Sequence, residues 1–430
     1  MQVGDTIMAL SSGALPSGVA VIRLSGPLVR SSLDSLAGNV PEPRLMALRA
    51  IGSDRRLDQG LVVFFPGPHS FTGEDCAELH VHGSAAGVKA ILAELRALGL
   101  RLAEPGEFTR RAFENGKLDL LAVEGLGDLL AADTEKQRQQ ALARYDGRLT
   151  QDIEQWREML LDLRAEIEAR LDFSDESDVT EDLPEDWLTQ LADLEIAIAG
   201  ALASVDSGRI VREGIRVALA GAPNVGKSSL LNALAKSDIA IVSEEAGTTR
   251  DVREMPLDIG GQLFVLLDLA GLRETESVAE AEGVRRAQQA IESADIVLWL
   301  KAPDIEDADR PAQAARMLIV GTKADIGLVP DADLALSTKT GAGLEELVTR
   351  LGALAQALAG GEPSLLSHER DRDSLTQALE ALAEARTALG DWELAAESLR
   401  RASAALERLI GRLDAEKVLD RLFASFCIGK

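Results

Sequence analysis

The chain has 430 residues, enough for about three domains, and its 46% hydrophobic and 27% charged residues are typical of a globular protein. Two distant cysteines, Cys76 and Cys427, exclude a disulfide framework and a thiolate zinc site, and the absence of a long apolar run or a basic leader predicts a cytoplasmic protein that does not span a membrane. The net charge of −26 argues against a protein that holds nucleic acid by bulk electrostatics.

Residues 1–116 predict an α+β unit. Short β-like runs (VAVIRLSG, LDQGLVVFFPG, CAELHVHG) accompany one helical pattern at residues 84–98.

Residues 117–210 then predict long amphipathic helices, because apolar residues recur at every third or fourth position. Ten acidic residues and one basic residue lie between positions 166 and 186. We interpret this run as a solvated helix end and loop, the alternative being a docking site for a basic partner.

Residues 211–360 predict a doubly wound parallel sheet. The apolar strands IRVALAG, LFVLLDLAG, ADIVLWLKA and RMLIVGTKAD alternate there with helical or turn-rich stretches. Helical composition resumes over residues 361–430. We therefore predict a multidomain α/β and α protein, in which an N-terminal α+β domain (1–116) precedes an all-helical domain (117–210 and 361–430) that carries the doubly wound P-loop domain (211–360) as an insertion.

The segment GAPNVGKSS, residues 221–229, fits the phosphate-binding pattern GxxxxGK[ST] between a strand and a helix. Its glycines allow backbone N–H groups to surround phosphates at a helix N-terminus. Lys227 is expected to neutralise the β- and γ-phosphate oxygens, and the Ser228 hydroxyl to bind Mg²⁺. The sequence thus predicts a nucleoside triphosphate site.

Three later motifs specify the nucleotide. GTTRD offers Thr249 to the Mg²⁺ ion, and Asp268 of DLAG can hold that ion through water while the Gly271 amide meets the γ-phosphate. In GTKAD, Asp325 can accept the N1 and N2 hydrogens of guanine, which adenine does not present, and STKTG follows as a loop contacting the base. The order of these motifs predicts a GTP-binding domain.

The same motifs resemble GTPases of the translation-factor class. FTGEDCAELHVHG (71–83), EPGEFTRRAFENGKLDLLAVEGLGDLLAA (104–132) and FCIGK (426–430) lie outside the predicted GTPase domain. They are similar to the MnmE (TrmE) family of tRNA modification GTPases, and the similarity spans essentially the whole chain. The full nucleotide site that we predict is Asn224, Val225, Gly226, Lys227, Ser228, Ser229, Ser243, Glu244, Glu245, Ala246, Gly247, Thr248, Thr249, Asp268, Leu269, Ala270, Gly271, Thr322, Lys323, Ala324, Asp325, Ser337, Thr338 and Lys339.

The resemblance implies GTP hydrolysis that depends on K⁺ and on the GTPase domains of a homodimer meeting face to face. A monovalent cation beside the phosphates can supply the charge that an arginine finger supplies elsewhere. Glu280 matches the acidic residue that orients the attacking water, the alternative being an ordinary surface glutamate. The family's K⁺ positions fall on Asn224, Ser243, Glu245 and Thr248.

The resemblance further implies that the N-terminal domain binds a tetrahydrofolate carrying a one-carbon unit, either the 5-formyl or the methylene form. The family's folate-contacting positions fall on Arg23, Glu78, Lys117 and Lys430. A carboxylate such as Glu78 can accept the pterin N–H donors, and basic residues can meet the glutamate tail.

Cys427 lies three residues from Lys430 and is a candidate nucleophile for the one-carbon unit or the uridine. The alternative is a passive buried thiol. His80 and His82 share one face of a predicted strand, and without a third ligand we interpret them as packing or polar-network residues.

This chain departs from the family pattern at two points that bear on function. Thr322 replaces the asparagine of the NKxD motif, which predicts modestly weaker nucleotide affinity while Asp325 still selects guanine. Asp371 follows Arg370 where the family has an arginine–histidine pair, a change for which the sequence offers no physical explanation.

Two functional hypotheses follow. In the first, the chain acts with tRNA, the FAD-dependent partner MnmG in a heterotetramer, and the one-carbon pool to add a carboxymethylaminomethyl group at carbon 5 of the wobble uridine. In the second, it is a GTP-dependent binding switch for ribosome assembly or signalling, without folate chemistry. The acidic charge favours the second, and the folate-domain resemblance favours the first more strongly.

Overall fold

The computed structural model describes residues 4–172, 182–241, 253–268, 291–307, 316–360 and 364–413, with 418–419, 422–423, 426 and 429 near the C-terminal end. The chain forms two compact units. The first unit comprises Met1–Gly127, Tyr145–Glu158 and Arg400–Lys430, and the second comprises Asp128–Arg144 and Met159–Leu399.

The first unit contains a six-stranded sheet in the order β3-β4-β5-β2-β1-β6, antiparallel except where β1 meets β6. Alternate residues of β2, Ala20, Ile22 and Leu24, are buried beneath two helices, which leaves Arg23 on the opposite face. This arrangement confirms the predicted α+β class. The strands are β1 Ile7–Leu10, β2 Ser17–Ser25, β3 Ala47–Ile51, β4 Asp58–Phe65, β5 Cys76–Gly83 and β6 Arg101–Leu102, and the covering helices are α1 Val29–Ala37 and α2 Ala85–Ala97.

Helices dominate the segments on either side of the second sheet. The periodic apolar residues Ile153, Leu160, Leu163 and Ile167 are buried along one helix of 25 residues, as the helical pattern predicts. The helices are α3 Glu107–Glu114, α4 Leu120–Ala131, α5 Glu135–Tyr145, α6 Arg148–Asp172, α7 Trp187–Ala203 and α8 Val205–Glu213 before that sheet, and α11 Glu369–Thr387 and α12 Trp392–Leu409 after it.

Helices α7 and α8 together form an apolar stretch, Trp187–Glu213, of 27 residues. By length and composition it could cross a membrane, and it is the one such stretch among the described residues. The sequence contains no unbroken apolar run and so was predicted to lack a spanning helix, whereas this stretch is apolar on average and contains polar residues. Only 22% of its most apolar part is buried, although Trp187, Leu191, Leu194 and Ile198 are buried and α7 packs against α11.

The second unit contains the other six-stranded sheet, in the order β12-β11-β10-β7-β9-β8, with all neighbours parallel except β8 and β9. Apolar clusters cover both faces, with Val217 and Leu219 in one and Ala218 and Ala220 in the other. The predicted doubly wound sheet is therefore present. Its elements are β7 Ile215–Gly221, α9 Lys227–Ala235, β8 Arg253–Ile259, β9 Gln262–Asp268, β10 Ile296–Lys301, β11 Met317–Gly321, β12 Leu334–Ala335 and α10 Leu344–Ala359.

The chain approaches this sheet through α8, and residues 364–366, which follow the sheet in sequence, contact that helix. The hydroxyls of Ser204 and Ser364 are 2.8 Å apart. A Cβ atom added at Gly208 would lie 2.0 Å from the carbonyl oxygen of Leu366, so only glycine fits at this point of α8. Gln140 of α5 donates to the Gly208 carbonyl at 3.1 Å and thereby fixes α8 from a second side.

The structure explains why an acidic residue stands at position 371. Asp371 is fully buried at the start of α11, where its carboxylate accepts the backbone N–H groups of Ser367 and His368. Arg144 of α5, also fully buried, donates to both carboxylate oxygens at 2.9 and 3.2 Å. Burial alone would raise the pKa of Asp371, but the Arg144 guanidinium outweighs burial and holds that pKa well below the ordinary 3.8.

Candidate functional site

The phosphate-binding loop connects β7 to α9, and its backbone requires the residues found there. Gly221 has φ 136°, and a Cβ atom added to it would lie 2.4 Å from the Leu300 carbonyl oxygen, so only glycine fits. Gly226 precedes the helix with φ 107°, and Asn224 also takes a left-handed conformation with φ 60°. The loop therefore curls tightly before α9 begins at Lys227.

Positive groups converge at this helix N-terminus. The Lys227 ammonium lies across the loop and donates to the carbonyl oxygens of Gly221 and Ala222, both at 2.8 Å. The free N–H groups of the first turn of α9 add the positive end of the helix dipole. Ser228 and Ser229 are exposed in this turn. The arrangement is suited to a polyphosphate, with a hydroxyl available for its metal ion.

Thr322 connects the loop after β11 to the phosphate-binding loop. Its buried hydroxyl lies 2.5 Å from the Val225 carbonyl oxygen and 3.0 Å from that of Lys301. A hydroxyl has a single proton to donate, and the two carbonyl oxygens already share the proton of Thr322. Thr322 therefore holds the two nucleotide-binding loops together and has no remaining proton to donate to a base.

Asp325 is held in place by the next loop. The Ser337 hydroxyl donates to Asp325 Oδ1 at 2.7 Å, and this hydrogen bond lowers the pKa of the carboxyl. Lys323, which has φ 53°, donates to Asp304 at 2.8 Å. The carboxylate that we expect to select guanine is thus kept ionised and oriented.

The structure brings most of the described nucleotide residues into two adjoining loops. Residues 224–229 form the first, and the second combines residues 322–325 with residues 337–339. The backbone of Asp268 ends β9 opposite Leu219 of β7, beside the start of the phosphate-binding loop. The following predicted residues lie outside the described residues: Ser243, Glu244, Glu245, Ala246, Gly247, Thr248, Thr249, Leu269, Ala270, Gly271, Glu280, Cys427 and Lys430.

The second predicted site lies on the first unit's sheet, where Arg23 of β2 pairs in register with Glu78 of β5. Arg23 Nε and Nη2 both donate to Glu78 Oε1, at 3.1 and 2.9 Å. His80 Nε2 lies 3.1 Å from the other oxygen, Oε2. The rings of Phe71 and Phe108 lie 5.7 and 5.8 Å from the Arg23 guanidinium. A half-buried charged pair thus stands beside two aromatic rings.

Lys117 and the C-terminal end lie in the same unit as this pair. The Lys117 side chain is exposed and its Cε atom passes beside Gly73 of the FTGED segment. Near the other end of the chain, the carbonyl oxygen of Gly429 accepts the Ser11 hydroxyl at 3.0 Å. The residue preceding the predicted Lys430 is therefore tied to the loop between β1 and β2.

The sequence did not group Phe71, Phe108 and His80 with the Arg23–Glu78 pair. Phe71 and Phe108 carry no local signal, because their role depends on Arg23 from a distant strand. His80 was interpreted as a polar-network residue, which its contact with Glu78 confirms, and His82 likewise contacts Asp58. The alternation of residues 78 and 80 along one strand was the signal that could have grouped them.

Among the described residues, no group of three or more histidine, cysteine or acidic side chains could hold a metal ion. Of the predicted Mg²⁺ ligands, Ser228 is the one whose side chain lies among the described residues, and its hydroxyl is the kind of hard oxygen that Mg²⁺ prefers beside phosphate oxygens and water. The donor set of the phosphate-binding loop fits Mg²⁺ bound together with a nucleotide.

Comparisons with known proteins show which family models and relatives the whole chain resembles. A family model described as "GTP-binding protein TrmE N-terminus" matches residues 6–117, and one described as "MnmE helical domain" matches residues 120–427. The "tRNA modification GTPase MnmE" of Azorhizobium caulinodans is 49% identical and covers 99% of each chain. The protein of the same name from Sinorhizobium medicae is 48% identical over 100% of each chain. Among solved structures, the G domain of the T. maritima FeoB iron transporter is 27% identical and covers 33% of this chain and 99% of its own, with a TM-score of 0.24.

Proposed function

Because the chain belongs to the MnmE family of tRNA modification GTPases, and so hydrolyses GTP in the course of tRNA modification, we propose that it adds a carboxymethylaminomethyl group to carbon 5 of the wobble uridine, U34. The carbon would come from a tetrahydrofolate bound by the first unit, in the 5-formyl or methylene form. The family's FAD-dependent partner MnmG would supply the redox chemistry, in a heterotetramer with a homodimer of this chain. We place the reaction in the cytoplasm.

The Arg23–Glu78 pair is the observation that carries this proposal. A pterin is a flat aminopyrimidinone that presents adjacent N–H donors, which a carboxylate can accept, and its faces can stack on aromatic rings. Glu78 is oriented from both sides by Arg23 and His80. Phe71 and Phe108 both lie beside Arg23, but Phe108 is fully buried, so the partly exposed Phe71 is the ring on which a pterin could stack. Lys117, and Lys430 beyond Gly429, would meet the acidic tail of the folate.

GTP hydrolysis would drive opening and closing of the homodimer, with Mg²⁺ and K⁺ bound at the phosphates. Asn224 supports the K⁺ assignment, since its side chain is exposed in the phosphate-binding loop and makes no hydrogen bond to another described residue. Ser243, Glu245 and Thr248 would complete the K⁺ site, and Ser228 with Thr249 the Mg²⁺ site. Glu280 would orient the attacking water, and Lys227 would neutralise developing phosphate charge. Cys427 would act on the one-carbon unit or the uridine.

Binding of 5-formyltetrahydrofolate, measured by calorimetry on the full chain, tests the folate site. We expect Glu78→Gln and Arg23→Gln to weaken binding at least tenfold, because each removes half of a charge-assisted pair. Arg30→Gln is the matched control, since Arg30 forms an exposed ion pair with Asp75 in the same unit. Absence of folate binding by the unaltered chain would favour the GTP-dependent switch instead.

GTP turnover in matched KCl and NaCl buffers tests the proposed hydrolysis mechanism. We expect K⁺ to stimulate turnover strongly, and Asn224→Ala to lose that stimulation while retaining nucleotide binding. Lys236→Ala is the control, because Lys236 is an exposed charge just after α9. Equal turnover in both salts would contradict the K⁺-assisted mechanism and leave the folate proposal to its own test.

A further inference from the structure

The acidity of this chain is concentrated in one of its two units. The first unit has 21 basic and 22 acidic residues, whereas the second has 24 basic and 49 acidic residues. A net charge of −25 on the second unit repels a polyanion that comes within the screening length of its surface. A surface that attracts tRNA is therefore to be sought on the first unit.

Four arginines follow the outer edge of the first unit's sheet. Strand β3 is the last strand on that side, so one of its edges has no neighbouring strand. Arg49 lies within β3, Arg44 precedes it, and Arg55 and Arg56 follow it in the turn to β4. Asp54 is the one acidic residue between positions 44 and 56. We call the four residues the β3-edge arginines.

None of the β3-edge arginines forms an ion pair with a described carboxylate. Arg49 Nε donates to the Asn39 amide oxygen at 3.2 Å, Arg56 donates to the Gln59 amide oxygen, and Arg44 donates to a backbone carbonyl. These acceptors are neutral, so they orient the guanidinium groups and leave the positive charges uncompensated. An acidic protein that keeps four such charges on one edge has a site suited to phosphate.

The backbone at Arg44 supports a functional role for this edge. Arg44 has φ 64°, a left-handed conformation that costs free energy for any residue other than glycine. Among the described residues, the other non-glycine residues with positive φ are Asn224 and Lys323, and both belong to the nucleotide site. Among the described residues, two of the three non-glycine positions with positive φ thus lie in the predicted nucleotide site.

Exposed apolar side chains lie among the arginines. Leu45, Met46 and Leu48 are each more than half exposed, and Leu48 is paired in register with the exposed Leu61 of β4. Unpaired RNA bases stack on apolar surfaces and on guanidinium planes, while duplex RNA offers mainly its backbone. The combination of arginine and exposed leucine fits a single-stranded loop of RNA.

We propose that the β3-edge arginines bind the phosphate backbone of the tRNA substrate, with Leu45, Met46 and Leu48 against its unpaired bases. This inference rests on the proposed function, which makes tRNA the substrate. Strand β3 spans about 15 Å along the edge at about 3.3 Å per residue, and it separates Arg44 at its start from Arg55 and Arg56 beyond its end, so the arginines at the two ends can meet different phosphates.

Fluorescence anisotropy of a labelled tRNA transcript with uridine at the wobble position, titrated with the full chain at several NaCl concentrations, tests the proposal. The variant carries Arg44→Gln, Arg49→Gln, Arg55→Gln and Arg56→Gln. We expect its affinity at low salt to fall at least tenfold. The slope of log K against log salt concentration should fall by about 3, since each lost phosphate contact removes about 0.7 to 0.9 from the slope.

The matched control removes four charges from the second unit. Arg138, Arg350, Arg372 and Arg386 are each paired with a carboxylate, and their replacement by Gln should change affinity less than twofold. Equal losses of tRNA affinity in both variants, or no tRNA binding by the unaltered chain, would overturn the proposal.

A change of oligomeric state in the edge variant, measured by sedimentation velocity, would also overturn the proposal, because the edge would then contact a second copy. Folate binding and K⁺-stimulated turnover should persist in the edge variant, so failure of the proposed function would be seen separately.

Discussion

Arg144 and Asp371 form an ion pair from which water is excluded, since both side chains are fully buried. Removing one partner of such a pair leaves the other charge without compensation, at a cost of about 3 to 5 kcal/mol. We therefore expect Asp371→Ala to lower the free energy of unfolding by about that amount at pH 7, measured by urea denaturation. Asp373 is exposed and lies two residues further along the same helix, so Asp373→Ala should change the free energy of unfolding little.

The same pair has a pH dependence of known sign. The pKa of Asp371 is lower in the folded chain than its ordinary 3.8, so its contribution is present above that value and is lost as the pH falls below it. The difference in unfolding free energy between the native chain and Asp371→Asn should stay constant from neutral pH down to about 5 and narrow below about 4. A difference that grew on acidification would contradict this assignment.

Thr322 supplies a second test at the scale of one residue. Thr322→Val keeps the shape of the side chain but leaves the Val225 carbonyl without its donor, so the two nucleotide loops separate. We expect the dissociation constant for a fluorescent GDP analogue to rise about fivefold to tenfold, as for the loss of one buried hydrogen bond. Thr322→Ser retains the hydroxyl and should bind as the native chain does. Equal binding by the valine variant would show that the hydroxyl does not organise the site.

Helix α8 and helix α7 differ in how closely other elements approach them. Gly208 of α8 lies against the Leu366 carbonyl, whereas Gly200 of α7 has no other atom within 4 Å of an added Cβ. We expect Gly208→Ala to destabilise the chain by about 3 kcal/mol through steric overlap, and Gly200→Ala to stabilise it by about 0.5 to 1 kcal/mol through helix propensity. Urea denaturation of both variants compares them directly, and equal effects would mean that α8 can move away from residue 366.

Elements with strong local signals were predictable from the sequence. The helix expected at residues 84–98 is Ala85–Ala97, and GAPNVGKSS does connect a strand to a helix. Pairings between distant residues were not predictable, because nothing in the local pattern links Arg144 to Asp371 or Ser337 to Asp325. The folate-contacting residues were predicted only from the family resemblance, since an arginine and a glutamate 55 residues apart carry no spacing signal.

At the scale of the whole molecule, the charge of −26 should make stability depend on ionic strength. Raising the salt concentration from about 10 to about 150 mM shortens the screening length from about 30 to about 8 Å, which weakens repulsion within the second unit. We expect the thermal midpoint of the nucleotide-free chain to rise by several degrees in NaCl. Choline chloride should act equally, because screening does not depend on the cation; a rise only in NaCl would indicate specific ion binding instead.

The total charge of −26 averages a nearly neutral unit with a strongly acidic one, so it does not describe the first unit. The boundaries of the units depend on tertiary contacts, which bring residues 145–158 and 400–430 together with the N-terminal sheet. The β3-edge arginines, such as Arg55, therefore stand out only when the charge of the first unit is counted by itself.

The contact between Ser204 and Ser364 has a consequence for how this protein could have evolved. Because the polypeptide departs and returns at one point, the 159 residues between these serines can be exchanged, as a cassette, for any domain whose ends lie equally close together. The helices on either side would keep their own path through such an exchange. A gene of this family could therefore acquire, lose or replace its GTPase domain in a single recombination event.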